Sequence, residues 1–301
     1  MAMRGLMTPL ISVVMPLFNA AETLPFALAS LQAQTCDAWE GIIVNDGSTD
    51  HPERIIHAVS DSRIRCLHLD HNRGRGYARQ CALEMTRGKY VAFLDADDWL
   101  YPDKFRDQVE LLEAEPNLAA VSTGMAISNA SDELVGVRNA LGSKPVMRSA
   151  MKYPGMPRLA FAPSMMTVDL AKHTGFDTSF PIAEDADFLL RALLGKRYAI
   201  LPASLYVYRE PGSTTLNKVS SAMDHCCRMF QKQIEQYPLN SVIEIAKARG
   251  KQMIYRSAAT LGLWDYVIAR RSRVPNDSDR QQYQDAWRTV SSILSGYSLV
   301  V

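Results

Sequence analysis

The chain has 301 residues, of which 33 are Lys or Arg and 32 are Asp or Glu, so its formal net charge is +1. This balance excludes a broad positive surface, and we therefore expect no nucleic-acid partner. Hydrophobic residues make up 47% and charged residues 22% of the chain, which favours a globular protein over a disordered one. The five cysteines show no C-x-x-C spacing, and this favours a reducing compartment over a disulfide framework.

The sequence contains no apolar run that approaches the ~18 to 20 residues of a membrane-spanning helix. The N-terminus also lacks the apolar segment that is typical of a signal peptide. We therefore expect a cytoplasmic protein, and a peripheral position at the inner face of the membrane stays open.

Short apolar runs rich in β-branched residues alternate with longer amphipathic segments in the N-terminal third of the chain, which predicts parallel βαβ units. Strands are predicted at residues 10–15, 41–44, 64–69 and 90–94. Helices are predicted at residues 22–34, 52–59, 75–86 and 102–114. This pattern indicates a doubly wound α/β half.

The remainder of the chain mixes strand and helix signals. A strand-like pattern covers residues 118–142 with a polar turn at 129–133, and the Pro-, Gly- and Met-rich residues 143–163 predict a mobile loop. We predict a strand at 164–170, a helix at 185–194 and a strand at 198–208. Beyond residue 213 the pattern is polar and helical, with no sheet signal.

Asp95-Ala96-Asp97 directly follows the predicted strand 90–94. Its carboxylates therefore emerge at the carboxyl end of the sheet, where open α/β sheets bind ligands. Two carboxylates one residue apart suit a hard divalent cation such as Mg²⁺ or Mn²⁺. Asp97 or Asp98 equally suits the N-cap of a helix, and the spacing alone leaves both interpretations open.

The turn at residues 45–50 follows another predicted strand and reaches the same edge of the sheet. Asp46 offers its carboxylate to a nucleobase N–H there, although an Asx turn that leads into a helix explains the same residues. The loop at residues 72–79 follows the third strand. It is not a dinucleotide fingerprint, because Arg79 occupies the place of the third glycine. Its arginines are interpreted as phosphate or base contacts, or as solvated surface residues.

Glu184-Asp185 opens the helix predicted near residue 185, where acids are favourable without any function. The order of all these segments, however, resembles glycosyltransferase family 2, a group of inverting enzymes with the GT-A fold. Residues 12–19 resemble the family's opening strand, 43–50 its uracil-binding turn and 72–79 its arginine loop. Residues 88–98 resemble its metal-binding strand end, 174–185 its catalytic-base segment and 208–209 its closing Tyr-Arg motif.

The resemblance covers about residues 9–215 and implies a GT-A α/β fold with a mostly parallel sheet covered by helices. Residues 9–115 would form the half that binds a nucleotide-sugar. Residues 116–215 would form the half that carries the acceptor and the catalytic base. Residues 216–301 would form a C-terminal helical extension.

The resemblance also implies an activity and a set of site residues. A nucleoside-diphosphate sugar, with UDP as the expected nucleotide, would donate a hexosyl or N-acetylhexosaminyl group to a hydroxyl of a saccharide or lipid-linked acceptor, in polysaccharide or glycoconjugate biosynthesis. Asp185 would be the general base, with Glu184 orienting it or contacting the acceptor. Mn²⁺ or Mg²⁺ on Asp97 and Asp95 would neutralise the leaving diphosphate. The implied donor contacts are Pro16, Phe18, Asn19, Asp46, Arg79, Asp95 and Ala96.

Two features depart from the family pattern. No His follows Tyr208-Arg209, where many members carry one, so water would complete a thinner metal shell. Gln80 stands where an asparagine is usual. Two alternatives remain: a sugar-nucleotide-binding subunit that has lost catalysis, and a sugar-phosphate nucleotidyltransferase. The latter needs a Gly-rich phosphate loop, and residues 8–23 contain no glycine.

The C-terminal region combines basic and aromatic residues. Lys247, Arg249, Lys251 and Arg256 precede the stretch at residues 264–273, which contains a Trp, a Tyr and three arginines. Such a helix surface suits an anionic membrane. It equally suits a solvated helix that packs on the catalytic domain or on a second copy of the chain, as in a homodimer.

Overall fold

A computed structural model describes residues 8–140, 142–210 and 215–297. Residues 211–214, which follow the Tyr208-Arg209 pair, and residues 298–301, which end the predicted extension, lie outside the described residues. The first half of the described chain alternates strands with helices. Its elements are β1 (Ile11–Leu17), α1 (Leu24–Gln32), β2 (Trp39–Asn45), α2 (Glu53–Val59), β3 (Ile64–His68), α3 (Arg75–Glu84), β4 (Tyr90–Phe93), β5 (Trp99–Leu100) and α4 (Lys104–Ala114).

The second half begins with strands and ends with helices. Its strand-rich part comprises β6 (Leu118–Ser128), β7 (Leu134–Arg138), β8 (Val146–Arg148), β9 (Met165–Thr167), α5 (Val168–Thr174), α6 (Glu184–Leu193) and β10 (Arg197–Arg209). The helices that follow are α7 (Leu216–Gln231), α8 (Pro238–Thr260), α9 (Trp264–Ala269) and α10 (Asp277–Leu294). None of the helices in the described ranges has the length and hydropathy that crossing a bilayer requires.

The strands form one sheet in the order β3-β2-β1-β4-β9-β6-β10-β5, with β7 on β6 and β8 on β10. The first four strands pair in parallel, and β6 pairs in parallel with β10. The short strand β9 is antiparallel to both β4 and β6. The predicted α/β class is confirmed, with a parallel half formed by β1 to β4 and a mixed half beyond β4. The carboxyl ends of β1, β2 and β4 therefore meet at one edge.

Helices cover both faces of this sheet. Side chains of β1, α1, α4 and α10 share one core cluster, while a second cluster contains side chains of α3, α5 and α6. β1 and β2 are buried along their whole length, as expected for central strands covered on both sides. The sheet edge is consequently held rigidly between two helical layers.

Two sequence predictions differ from the structure. The strand predicted at 164–170 ends at Thr167, because the Thr167 hydroxyl accepts from the Leu170 N–H at 3.3 Å and caps a helix instead. The loop predicted at 143–163 contains β8, which pairs antiparallel with β10. A strand of three residues within a Pro-rich stretch is too short to give a recognisable sequence pattern.

The helices beyond residue 215 dock in two places. α7 and α8 form a hairpin whose Met229 and Phe230 pack against Phe180 and Leu190, next to α6. α10 returns to the sheet and buries Tyr283, whose ring lies 5.4 Å from that of Trp99. The boundary predicted at residue 215 therefore separates the sheet from the helices in sequence, but α10 belongs to the core of the sheet in space.

Candidate active site

A cleft of about 530 Å³ opens at the carboxyl ends of β1, β2 and β4. Seven residues predicted to contact the donor or the metal line it: Pro16, Phe18, Asn19, Asp46, Asp95, Ala96 and Asp97. Arg75, Pro181 and Tyr208 contribute to the walls as well. The structure thus brings together three segments that are far apart in sequence.

The end of β1 is fixed to the turn that follows β2. Asn19 has a left-handed backbone with φ +48°, and its side-chain oxygen accepts from the Thr49 N–H at 2.8 Å. The Asn19 N–H donates to the Ser48 hydroxyl at 3.0 Å, and the Ala21 N–H donates to Asp50 at 2.7 Å. These bonds hold the cleft wall around Phe18, whose exposed ring is available to a ligand.

Asp46 connects that turn to the arginine loop. Its side chain is buried, and its two oxygens accept from the backbone N–H groups of Arg73 at 2.7 Å and Gly74 at 2.8 Å. Gly47 makes the close approach possible, since a Cβ there would meet the His71 backbone at 2.7 Å and φ is +71°. Asp46 therefore positions the loop, and its contact with a nucleobase stays a prediction.

Asp95-Ala96-Asp97 occupies the end of β4, as predicted. The Ala96 carbonyl accepts from the Thr23 hydroxyl at 2.9 Å, which anchors the segment to the start of α1. Asp97 is exposed to the cleft, yet partial desolvation and the neighbouring Asp95 raise its pKa. Neither Asp97 nor Asp98 is a helix N-cap, because α4 begins only at Lys104.

The donor set fits a divalent cation that shares its shell with a ligand. Asp97 and Asp95 supply hard oxygen atoms, and desolvation together with the charge of Asp95 raises the pKa of Asp97, an effect that a bound cation would oppose. Within the described residues, no cluster of three or more His, Cys, Asp or Glu side chains is arranged for a metal. Diphosphate and water oxygens would therefore complete such a shell.

Arg79 lies under the cleft rather than in its wall. Its guanidinium is 2% exposed and donates to Asp95 at 2.7 Å and to Glu184 at 2.6 Å, above the ring of Phe161. Burial alone would lower the pKa of Arg79, but the two carboxylates raise it. The contact of Arg79 with the base or the diphosphate stays a prediction; in the structure the guanidinium joins two acids and does not line the cleft.

Glu184 is one end of the bridge Asp95–Arg79–Glu184. The side chain is 1% exposed, and its Oε1 also lies 3.5 Å from Nε of the exposed Arg75. Burial raises the pKa of Glu184, and the two arginines oppose that effect. This burial favours the predicted orienting role over a contact with the acceptor, and both roles stay predictions.

Asp185 lies half-buried in the first turn of α6, beside the bridge. One of its oxygens accepts from the Ala186 N–H at 2.8 Å. The N-cap of α6 is Ala183, with a left-handed backbone at φ +64°, so neither acid caps this helix with its side chain. Asp185 is not among the residues that line the cleft, whereas Pro181, just before α6, does line it.

Sequence reasoning did not assign a role in the site to the buried acid Asp98. Asp98 accepts from the Tyr206 hydroxyl at 2.6 Å and from the Arg209 N–H at 2.9 Å, and Tyr206 also receives a bond from the Asp95 N–H. Burial first, and then Asp97 and Asp95, raise the pKa of Asp98. The third carboxylate of the run Asp95-Ala96-Asp97-Asp98 was the available signal, and it ties the strand end to β10.

Comparison with known proteins gives a consistent result. The sequence matches the family model described as glycosyl transferase family 2 over residues 12–175. It is 32% identical over 246 residues to the uncharacterized glycosyltransferase EpsJ of Bacillus subtilis, covering 77% of this chain and 70% of that protein. It is 37% identical over 106 residues to the Escherichia coli protein named UDP-Glc:alpha-D-GlcNAc-diphosphoundecaprenol beta-1,3-glucosyltransferase WfaP, covering 35% of this chain and 42% of WfaP.

Solved structures share the fold. Residues 1–349 of S. aureus TarS in complex with UDP-GlcNAc match with a TM-score of 0.65 at 16% identity, over 94% of this chain and 81% of that one. The mannosyltransferase PcManGT of Pyrobaculum calidifontis, in complex with GDP-Man and Mn²⁺, matches with a TM-score of 0.58 at 18% identity, over 96% and 87% of the chains. These likenesses confirm the predicted GT-A type of α/β fold.

Proposed function

This chain belongs to glycosyltransferase family 2, and from that premise we propose that it transfers a sugar from a UDP-sugar to a hydroxyl of a saccharide or lipid-linked acceptor, with inversion at the anomeric carbon. Asp185 is the general base in this proposal. Asp97 and Asp95 hold Mn²⁺ or Mg²⁺, and Asp46 contacts the uracil ring. The activity would serve polysaccharide or glycoconjugate synthesis.

One observation carries the proposal: Arg79 joins Asp95 at the donor edge to Glu184, the neighbour of Asp185. The two acids lie on β4 and α6, and their shared guanidinium contacts are 2.7 and 2.6 Å long. A protein that only bound a nucleotide-sugar would need the β4 edge but not a rigid link to the start of α6. A transferase needs both, since the base must be held close to the reacting carbon.

The chemistry follows from this arrangement. Asp185 accepts the proton of the acceptor hydroxyl while the hydroxyl oxygen forms a bond to the anomeric carbon from the face opposite the nucleotide. The bond between that carbon and the diphosphate oxygen breaks in the same displacement. Asp97 and Asp95 would hold a divalent cation, which would neutralise charge on the departing diphosphate. Arg79 and Glu184 hold the end of β4 and the start of α6 in a fixed relative position.

The choice of UDP rests on the relatives. WfaP is named for a UDP-Glc donor and a diphosphoundecaprenol-linked acceptor, and TarS was solved with UDP-GlcNAc. PcManGT was solved with GDP-Man, so the shared fold alone does not select the base. In this chain the exposed ring of Phe18 and the carboxylate of Asp46 both line the cleft, which suits a flat base with an N–H donor.

The Asp185→Asn variant tests the proposal. A general base acts on the acceptor, so transfer should fall by about 10² to 10⁴-fold while UDP affinity with Mn²⁺ stays unchanged. Transfer is measured as UDP release with a panel of UDP-sugars and acceptors, and UDP affinity is measured by calorimetry. Asp169→Asn is the matched control, because Asp169 is an exposed acid in the first turn of α5.

Two results would overturn the proposal. Transfer by Asp185→Asn near the wild-type rate, with an unchanged thermal melt, would remove Asp185 from the mechanism. UDP binding by the wild-type protein without transfer to any acceptor of the panel would support a nucleotide-sugar-binding subunit instead.

A further inference from the structure

α8 has an apolar stripe on its solvent side. The stripe, named here the α8 stripe, consists of Leu239, Val242, Ile243, Met253, Ile254 and Leu261, whose side chains are between 42% and 71% exposed. At 100° per residue, these six residues fall within a sector of about 120° around the helix axis, so they share one face. The opposite face carries the buried residues Ala248, Gln252 and Tyr255 and packs on α7.

The apolar surface continues beyond the helix. Leu263 and Tyr266 at the start of α9 are exposed by 50% and 58%. A soluble helix that packs on its own domain needs only one apolar face. α8 presents two such faces, and the outer one is not covered by any part of the chain that the structure describes.

Basic residues surround this surface. Residues 238–273 contain seven Lys or Arg and two Asp or Glu, while the whole chain has a net charge of only +1. At 100° per residue, Lys247 and Lys251 flank the α8 stripe on one side and Arg249 and Arg256 on the other. Among the described residues, no carboxylate forms an ion pair with Lys251, Arg256 or Arg270.

We propose that the α8 stripe binds the headgroup region of an anionic phospholipid bilayer, with α8 parallel to the surface. An apolar stripe between two rows of cations is the pattern of an interfacial helix, because the stripe enters the acyl boundary while the cations meet anionic headgroups. A second copy of the chain fits less well. In a symmetric pair each stripe would meet its equivalent, and the basic rows would then face each other.

The position of α8 relates this surface to the candidate active site. The α7–α8 hairpin packs through Met229 and Phe230 against α6, the helix that carries Asp185, so a bilayer bound by α8 would adjoin a hairpin that contacts the candidate active site. Binding to the bilayer would then concentrate the protein where a lipid-linked acceptor resides. This consequence rests on the proposed function, whereas the binding to the bilayer does not.

Liposome flotation of the full chain tests the binding without any donor or acceptor. Vesicles of neutral phosphatidylcholine are compared with vesicles that also contain anionic phosphatidylglycerol, at low and high salt. The wild-type protein should float with the anionic vesicles only, and salt should weaken the effect. Ile254→Glu should reduce recovery by at least about tenfold, and Lys251→Gln by about fivefold.

Matched variants separate this result from unfolding. Val135→Glu replaces an aliphatic residue of similar exposure on β7 and should float like the wild type. Unchanged thermal melts are required of each variant. Three results would overturn the proposal: no recovery with anionic vesicles, equal recovery with neutral vesicles, or an Ile254→Glu variant that floats normally. A dimer by light scattering that Ile254→Glu converts to monomers, without flotation, would assign the stripe to a second copy instead.

Discussion

Arg79 and Lys104 are both buried cations, but their surroundings are opposite. Arg79 lies between Asp95 and Glu184 and keeps its charge. Lys104 in α4 donates to the side-chain oxygen of Gln108 at 2.8 Å and forms no ion pair within the described ranges. Burial lowers the pKa of Lys104 to about 7. Beneath the cleft a buried charge is compensated, while in the scaffold the lysine gives up its charge near neutral pH.

The difference indicates what each region is for. An ion pair that is buried gains little stability overall, because desolvation of the charges offsets their attraction. Arg79 is therefore best explained by position: it fixes two acids of the cleft relative to each other. Lys104 instead supports packing through Gln108. The side-chain nitrogen of Gln108 donates to the Val121 and Pro163 carbonyls, each at 2.8 Å.

The largest expected effect is at Arg79. Arg79→Met keeps the apolar stem but leaves Asp95 and Glu184 without their shared partner, which should cost about 3 to 5 kcal/mol of unfolding free energy. Sugar transfer should be lost with it. Urea unfolding and UDP release measure the two effects. Arg79→Lys, which restores one charge without the two-pronged geometry, should recover stability more than transfer. A loss below about 1 kcal/mol in Arg79→Met would show that the bridge is dispensable.

The lowered pKa of Lys104 should make the unfolding free energy depend on pH. Between about pH 7 and the ~10.4 of an exposed lysine, the unfolded chain binds one proton more than the folded chain. The unfolding free energy should therefore rise with pH across this window and stay flat in this respect below pH 7, with a total change on the order of a few kcal/mol.

Lys104→Met should abolish that rise, and it is measured by urea unfolding at a series of pH values. Lys89→Met is the control, because Lys89 is exposed on the surface and pairs with Glu113. The comparison of the two cations breaks down if wild type and Lys104→Met show the same slope, since Lys104 would then be charged in the folded protein.

How far the sequence predicted the site depends on the distance between partners. Asp46, Asp95 and Asp97 follow strands directly, and the carboxyl ends of neighbouring parallel strands meet at one edge of a sheet. Their convergence in the cleft was therefore predictable. The Arg79 contact with Glu184 spans 105 residues and depends on how α6 docks, which no local pattern encodes. Sequence reasoning accordingly put Arg79 in the cleft wall rather than below it.

The fold shows the same division. Apart from the two-residue strand β5, which was not predicted, strands and helices up to residue 114 were predicted within a few residues, because a regular alternation of buried runs and amphipathic segments specifies them. β8 and β9 have three residues each, and α5 starts where the pattern indicated a strand. The docking of α10 on the core was also unpredicted, since an amphipathic helix does not specify the surface that it covers.

A third cation, the proposed metal, sharpens the comparison at the cleft surface. Partial desolvation and the charge of Asp95 raise the pKa of Asp97, so Mn²⁺ should stabilise the charged form of this carboxylate and strengthen UDP binding. We expect at least about tenfold higher UDP affinity with Mn²⁺ than with EDTA, and Asp97→Ala should remove the difference. Calorimetry measures both. Equal UDP affinity with Mn²⁺ and EDTA in the wild type would exclude this metal site.

The smallest effect on stability is expected at Arg75, the exposed partner of Glu184. Its Nε lies 3.5 Å from Glu184 Oε1 and its side chain is 57% exposed, so solvent screens the pair, and Arg75→Gln should change the unfolding free energy by less than about 0.5 kcal/mol. Arg75 also lines the cleft at the start of α3, where a diphosphate would meet its guanidinium, and UDP affinity should therefore fall by about tenfold. Calorimetry and urea unfolding on the same preparation separate the two quantities. A large loss of stability with unchanged UDP affinity would reverse the assignment and make Arg75, like Arg79, a support for Glu184.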